Sequence, residues 1–552
     1  MDTKKHEIPF SGVFARINGL PKNKVALAVT VFFAILVTGV VIFHEPWLDE
    51  AQSWLIARDA SYYDMLFVLP HVEGHVPFWW LLLSIPAKLG VPYEAGLKGV
   101  NILIAVLACI VFEYKSPFQN IVKILFPFGY FFFYQYSVVA RPYMLVILAL
   151  FLAASTFGGR EERPVPHLLS LILLCLADTY GIAIAGGIAL GWTFKVIRSM
   201  AKKDKTKISC NIRQVVCLIV LLISALFILW GIMPSLDASA TGTVTADNVP
   251  VNFLGELFIV PSEVSFTNFT VYGNFAVQDL SIWQIAVASL ISIIIWFVFL
   301  KAIVHRDLVL DIVLPMAAFV AVGALYLYTH HFGLILMLGI YCSWISFEKH
   351  PIENRIMPRI GIVIYVVSLA FSIMWTCFAS VNDVLFPYWI SRDLYTWIEE
   401  NDLEDYKWVA TWDIEIKDGD KEPSKQNTAV TREAVPVNPY LKSRKPLNLN
   451  NEGYTYALFR DNSDEQNNKD IEEWKKLGEP DLILCKDTLQ AFWLIDSMGY
   501  KSTYDIVYVK ECRNSWKTDF TKGGVIVYAR RESGIKLTPD MEDMQSILGT
   551  ED

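Results

Sequence analysis

The sequence predicts a polytopic α-helical membrane protein of about eleven spans, ending in an extracytoplasmic α/β domain. Three observations lead there. The chain of 552 residues is 54% apolar with a mean hydropathy of +0.39, more than a soluble chain of that length requires. Apolar runs of ~17–25 residues recur, the length that crosses a bilayer core of ~30 Å. These runs stop near residue 380, and the sequence beyond is polar. The expected division is a cytoplasmic N-terminus at 1–24, a membrane unit at 25–380 and a soluble domain at 381–552.

Positive charge orients the spans. Lys4, Lys5, Arg16, Lys22 and Lys24 place the N-terminus in the cytoplasm. No small-residue cleavage site follows residues 25–43, so this stretch reads as a retained anchor. It delivers loop 44–75 to the outside. Three apolar segments (78–89, 98–112 and 121–139) then lie before Arg141, where an even number of crossings is needed. The first would be only ~18 Å long at 1.5 Å per residue, so one of the first two is expected to be partial or re-entrant. Residues 142–157 return inside, and 166–195 read as a hairpin turning outside at 178–180. The basic segment 198–213 is inside. Span 214–233 leads out to 234–278, an expected external loop carrying Asp237, Asp247, Glu256 and Glu263 but no Lys or Arg. Spans 282–300, 308–328, 332–347 and 360–379 alternate and leave the tail outside the cell membrane.

In the tail, aromatic and β-branched residues predict strands at 407–411, 454–459, 481–484, 504–509 and 525–528. Helices are predicted at 392–400, 470–476 and 489–498, with a polar loop at 413–433. Alternation of the two suggests a small layered α/β domain. Cys109, Cys175, Cys217, Cys342 and Cys377 fall in apolar spans and read as packing residues. Only Cys485 and Cys512 share the tail, which leaves a disulfide between them open, and without a C-x-x-C pair no zinc site is expected. The net charge of −9 gives no reason to invoke nucleic acid. Neither a P-loop nor a dinucleotide-binding G-x-G-x-x-G is present.

The chemistry-bearing residues concentrate in loop 44–75, which opens HEPWLDEAQSWLIARD. Its mixture of aromatic, aliphatic and charged residues suits a helix lying in the membrane interface. Asp49 and Glu50 are adjacent carboxylates close after a span. One can take a proton from a hydroxyl acceptor while the other orients a neighbour or holds a divalent cation. The same pair serves equally as an acidic helix cap. Arg141 either binds a phosphate bidentately or snorkels to the headgroups. His71 and His75 are spaced for metal only if helical, and Pro70, Gly74 and Pro77 favour a loop. His330 and His331, at an expected outer mouth, either meet a phosphate or cap a helix. An outward-facing transferase has no supply of cytoplasmic nucleotide-sugars, so its donor would be lipid-linked.

Four motifs in order, HEPWLDEAQSWLIARD (44–59), EGHVPFW (73–79), ARPY (140–143) and HHFG (330–333), resemble the GT-C glycosyltransferases. That superfamily includes the protein O-mannosyltransferases and the lipid A aminoarabinose transferases. The likeness covers the membrane part and touches the tail only in outline. It implies transfer of a sugar, with inversion, from a polyprenyl-phosphate carrier to a glycan, lipid or protein acceptor on the outer face. Carried over, Asp49 would be the catalytic base and Glu50 its partner. Arg58 and Arg141 would bind the donor phosphate, and Glu73, His75 and His331 would line the site, with no metal ligand among them. Val76 stands where the pattern has a proline, and His330 stands where it has an arginine, a stronger anion partner than neutral imidazole. The competing expectations are a transporter or flippase for a lipid-linked glycan, and a membrane-anchored binding protein. A transporter would need charges along a path and repeat symmetry. Asp178 and Asp311 come nearest to such charges, and both lie close to span ends.

Overall fold

The computed structural model describes residues 11–202, 208–235, 238, 248–273, 277–326, 328–352, 355–410, 434–443, 455–459, 469, 472 and 475–548. The described residues open with a short helix, α1 (Ser11–Asn18), and a long one, α2 (Lys22–Phe43). Four short helices follow: α3 (Leu48–Asp59), α4 (Tyr62–Phe67), α5 (Leu69–Glu73) and α6 (Phe78–Lys88). Then come α7 (Tyr93–Lys115), α8 (Asn120–Leu125) and a π-helical segment, Phe131–Val138. Next are α9 (Tyr143–Phe157), α10 (Pro164–Ala177), α11 (Thr179–Ala201) and α12 (Ile208–Gly231). The second half holds α13 (Asn248–Phe258), α14 (Val260–Glu263), α15 (Ile282–Ile303), α16 (Val309–Leu325), α17 (Phe332–Lys349) and α18 (Ile356–Leu385).

Among the described residues, seven helices are long and apolar enough to cross a membrane: α2, α7, α11, α12, α15, α17 with its leading turn, and α18. The bundle carries apolar side chains on its outside as well as its inside. Leu222, Phe227, Ile293, Phe297, Val363 and Phe378 are all exposed. In water such a surface would be a liability; against lipid it is the expected one. Close helix approach uses glycine where it is needed. A Cβ on Gly187 of α11 would sit 2.5 Å from the Cα of Pro315 in α16.

The crossing problem between loop 44–75 and Arg141 has a geometric answer. α6, of 11 residues, is only about 17 Å long at 1.5 Å per residue and does not traverse the bundle. α7 traverses it fully. The return path is broken into α8, a 3₁₀ turn and the π-helical segment. Its two ends are fixed: the side-chain amide of Asn18 donates to Gln119 (3.2 Å) at one end, and Arg141 contacts Asp49 at the other.

Three expectations are corrected. α3 does not lie flat with one face to water, because Glu50 through Ala57 are all buried inside the protein, while the charges at its two ends, Asp49 and Asp59, keep solvent contact. Residues 234–278 are not simply a loop. α13 descends beside α16, and its Leu257 carbonyl accepts a hydrogen bond (2.8 Å) from Trp296, fourteen residues into α15. Cys377 is exposed on α18 rather than packed, and all eight cysteines are free thiols, Cys485 and Cys512 included.

Beyond α18, helix α19 (Ser391–Glu400) leads into a four-stranded sheet of β1 (Trp408–Ala410), β2 (Leu482–Cys485), β3 (Tyr504–Trp516) and β4 (Asp519–Arg530). The order is β1-β2-β4-β3, with β1 and β2 parallel and the remaining pairs antiparallel. α19 packs on one face and the helix Thr488–Met498 on the other, so the layered α/β reading holds. Cys485 and Cys512 face opposite sides of this sheet. Residues 455–459 are not a strand: their polar partner is a side chain of α3, described below. In the predicted 470–476 helix, residues 472, 475 and 476 are helical; its other residues, like the whole 413–433 stretch, lie outside the described residues.

The tail is fastened into the membrane part at the tip of the β3–β4 hairpin. Trp516 and Lys517 are buried there, and Lys517 turns the chain with a positive φ of 54°. Its ammonium donates to Glu263 Oε2 (2.9 Å) and to the carbonyl of Thr267 (2.7 Å). Glu263 also accepts from Thr267 Oγ1 (2.6 Å) and Thr270 Oγ1 (2.7 Å), so both charges are fully solvated by the protein. Lys517→Met should leave Glu263 as an unpaired buried carboxylate, at a cost of about 3–5 kcal/mol. The thermal midpoint of the purified protein in detergent is expected to drop by several degrees. Adding Glu263→Gln should restore most of it, because no buried charge remains.

Candidate functional site

The motif His44–Glu50 spends most of its ionisable groups on structure. The His44 imidazole is buried between two acids. Nε2 meets Glu50 Oε2 at 3.1 Å, and Nδ1 meets Asp383 Oδ2, from the far end of α18, at 2.8 Å. Asp383 in turn accepts from Tyr134 of the π-helical segment (2.8 Å). Burial pulls the His44 pKa down, but the two carboxylates outweigh it and raise it to about 9. Glu45 is buried too. It caps the start of α19, accepting from the amide of Arg392 and from Ser391 Oγ (3.2 Å).

Glu50 does two further jobs. Its Oε2 accepts from the backbone N–H of Trp47 (3.2 Å), closing the N-terminus of α3. Its Oε1 accepts from the N–H of Ala140 (2.7 Å), which fixes the backbone one residue before Arg141. That backbone is also held from the other side, where the Asn101 amide donates to the carbonyls of Tyr136 (3.1 Å) and Ser137 (2.9 Å). Glu50 is thus a positioning group, with no solvent exposure.

Asp49 differs from its three acidic and basic neighbours in the motif. Its side chain is 35% exposed, and it forms an ion pair with Arg141. The Arg141 guanidinium lies over the rings of Tyr143 (5.5 Å) and Trp47 (5.9 Å). Desolvation would lower the Arg141 pKa, but Asp49 and the ring hydroxyls raise it above the usual range. Glu73 and His75 stand within Coulombic reach of this pair. Gly74, with a φ of 66°, ends α5 and turns the chain so that His75 points into the recess, where solvent reaches it. Confinement and the nearby Arg141 hold the His75 imidazole below its ordinary value, hence neutral. Burial pushes the Glu73 carboxyl up to about 8, against the pull of Gln52 and Arg141.

Of the two histidines before α17, His331 is buried and saturated. Its Nε2 meets Tyr143 OH (2.9 Å) and its Nδ1 meets Tyr180 OH (3.1 Å). His331 therefore braces Tyr143, which underlies Arg141. His330 is the one that faces the Asp49–Arg141 pair, and its Nδ1 has no partner among the described residues. The ring of Tyr272 joins this wall, 6.0 Å from Trp47 and 6.1 Å from His330. Arg58 is placed elsewhere. It pairs with Asp59 (2.7 Å) and donates to the carbonyl of Pro439 (3.2 Å), at the opposite end of α3 from Asp49. No group of three or more His, Cys, Asp or Glu is arranged to hold a metal ion among the described residues.

Sequence reading did not single out Gln52. Its amide grips the tail backbone in both directions: Nε2 donates to the Ala457 carbonyl (2.7 Å) and Oε1 accepts from the Ala457 N–H (2.8 Å). The same Nε2 donates to Glu73 Oε1 (2.9 Å). Asp383 and Tyr272 went unassigned as well. A lone acid near the end of the last span was the available signal for Asp383. No protein-family model matches the chain, and no curated protein matches it.

The His44 bridge sets a pH dependence. Its folded-state pKa lies above the ordinary 6.5, so its contribution to stability is full below about pH 6.5 and is lost as pH rises through about 9. The stability advantage of the native protein over His44→Gln should be larger at pH 6 than at pH 10 by on the order of 3 kcal/mol. Denaturant unfolding of both proteins across that range checks it.

Proposed function

We propose that this chain is an outward-facing membrane glycosyltransferase of the GT-C kind. It would move a sugar from a polyprenyl-phosphate carrier to an acceptor hydroxyl at the outer face of the cell membrane. One observation carries the reading: within the motif His44–Glu50, only Asp49 keeps a solvent-reached carboxylate, and its partner is a cation suited to phosphate. About eleven spans, with the N-terminus in the cytoplasm and the tail outside, complete the proposal. Seven long apolar helices and the lipid-facing surface support it at the coarser level.

The proposed chemistry is a single displacement. The donor phosphate takes the Arg141 guanidinium from Asp49, which frees the carboxylate as a base. Asp49 accepts the proton of the acceptor hydroxyl. The acceptor oxygen bonds to the anomeric carbon, and the bond from that carbon to the carrier phosphate breaks. The phosphate leaves with the electron pair and is neutralised by Arg141. A protonated Glu73 and a neutral His75 fit this sequence. The first removes a negative charge from the path of an anionic donor, and the second adds no rival cation.

The test uses the full chain in vesicles with a labelled polyprenyl-phosphate sugar. Asp49→Asn should lower transfer by about 10²–10⁴-fold while the protein still elutes as a folded species. Arg141→Lys, which loses the bidentate fork, should raise the donor concentration for half-maximal rate about tenfold. Near-normal transfer by Asp49→Asn would remove the base assignment. Label that changes leaflet without leaving its lipid would identify a transporter instead.

A further inference from the structure

An apolar crevice of about 160 Å³ opens between α15, α17 and α18, far from the site above. Trp296, Phe299, Ile340, Gly361 and Tyr365 form its walls. One end stops against Val264 and Ser265, and Glu263 of the buried Glu263–Lys517 pair is the residue before Val264. The other end lies at Ala302, Ile303, Phe347 and Pro358, where α15 and α17 finish and α18 begins. From Ser368 to Pro358 along α18 is about 15 Å at 1.5 Å per residue. That is half of a hydrocarbon core of ~30 Å, the depth of one leaflet.

The open end is basic. Five cations lie at this end: Lys301 in the last turn of α15, Arg306 between α15 and α16, Lys349 closing α17, Arg355 just before α18, and Arg359 in the first turn of α18. Asp307 at this end is taken up by Lys349 (2.8 Å) and His350 (3.0 Å), and a second described carboxylate, Glu348, follows the lining residue Phe347. Arg355 stands at the mouth itself. Its guanidinium donates to the carbonyl of Ala302 (2.9 Å), a lining residue, and to that of His350 (3.3 Å). These contacts use two of its five N–H donors. Arg306, in the connection that follows α15, is exposed. Under the positive-inside rule this end faces the cytoplasm.

We propose that this crevice is a binding site for an anionic phospholipid of the cytoplasmic leaflet. One acyl chain would occupy the apolar slot, and the phosphodiester would sit at Arg355 and Arg306. Apolar length matched to one leaflet, ended by a cluster of cations, is complementary to that molecule. A lipid-linked sugar donor fits poorly, because the phosphate end of the slot and the Asp49–Arg141 pair lie at opposite ends of the bundle and no residue of that pair's recess lines the slot. The site is independent of the reaction proposed above.

The full chain, purified in neutral detergent, is tested by native mass spectrometry with phosphatidylglycerol and phosphatidylcholine of identical chains. Phosphatidylglycerol should be retained at least tenfold more tightly. Arg355→Ala should erase that preference and leave phosphatidylcholine retention unchanged. Arg306→Ala, at an exposed position, should reduce the preference about threefold and serves if Arg355→Ala does not fold. Gly361→Leu should cut retention of both lipids: a Cβ there meets Val298 and Ala302 at ordinary contact (3.6 and 3.7 Å), and the longer side chain fills the slot. Equal retention of the two lipids would overturn the proposal. So would unchanged binding by Gly361→Leu, competition by inorganic phosphate alone, or displacement by an equal concentration of a polyprenyl phosphate.

Discussion

Everything around the recess depends on one buried imidazole held between two acids. His44 sits where α2 ends, Glu50 in the first turn of α3 and Asp383 near the end of α18. The first two are consecutive, but Asp383 lies 339 residues beyond His44, and a single imidazole ring joins all three. The bridge satisfies the burial rule for ionised groups because each carboxylate faces the imidazole and also accepts from a neutral donor, and the imidazole places both ring nitrogens on carboxylates. Glu50, fixed this way, holds the backbone beside Arg141. Arg141 can then face Asp49 without either residue needing its own scaffold.

A second consequence concerns neighbouring carboxylates. Asp49 and Glu50 are adjacent in sequence, and both sit in the first turn of a helix, where the aligned peptide dipoles favour negative charge. Helical geometry turns successive side chains about 100° apart. One is therefore directed into the protein and the other into the recess. The same turn of helix supplies a rigid structural acid and a solvent-reached one, which is how a capping pair and a reactive group coexist in two consecutive residues.

Much of this was legible in the sequence. Apolar length gave the membrane class, and the break at 178 gave the α10–α11 hairpin because Asp178 caps α11. The strand and helix order of the tail was readable from β-branched runs, except at 455–459, where a side chain rather than a strand takes the backbone bonds. The grouping of Asp49, Arg141, Glu73 and His75 was readable from the motifs. Three things were not. α13 looks like loop because its acidic and polar residues hide an apolar face, and only its packing on α16 and α15 reveals it. Arg58 shares a motif with Asp49 but lies nine residues along the helix, too far to converge. His330 and His331 are chemically identical, and only the hydrogen bonds to Tyr143 and Tyr180 tell which one is committed.

The hairpin tip at Lys517 also bears on the order of biosynthesis. Glu263 and the helices around it are made some 250 residues before the lysine that balances them. Until the ribosome has passed position 517, the nascent bundle carries an acid without its counter-ion and a gap where Trp516 will lodge against Tyr130, Phe131 and Tyr272. Closure of the bundle therefore waits for the tail, and a chain truncated before that point would present quality-control proteases with an unsealed bundle.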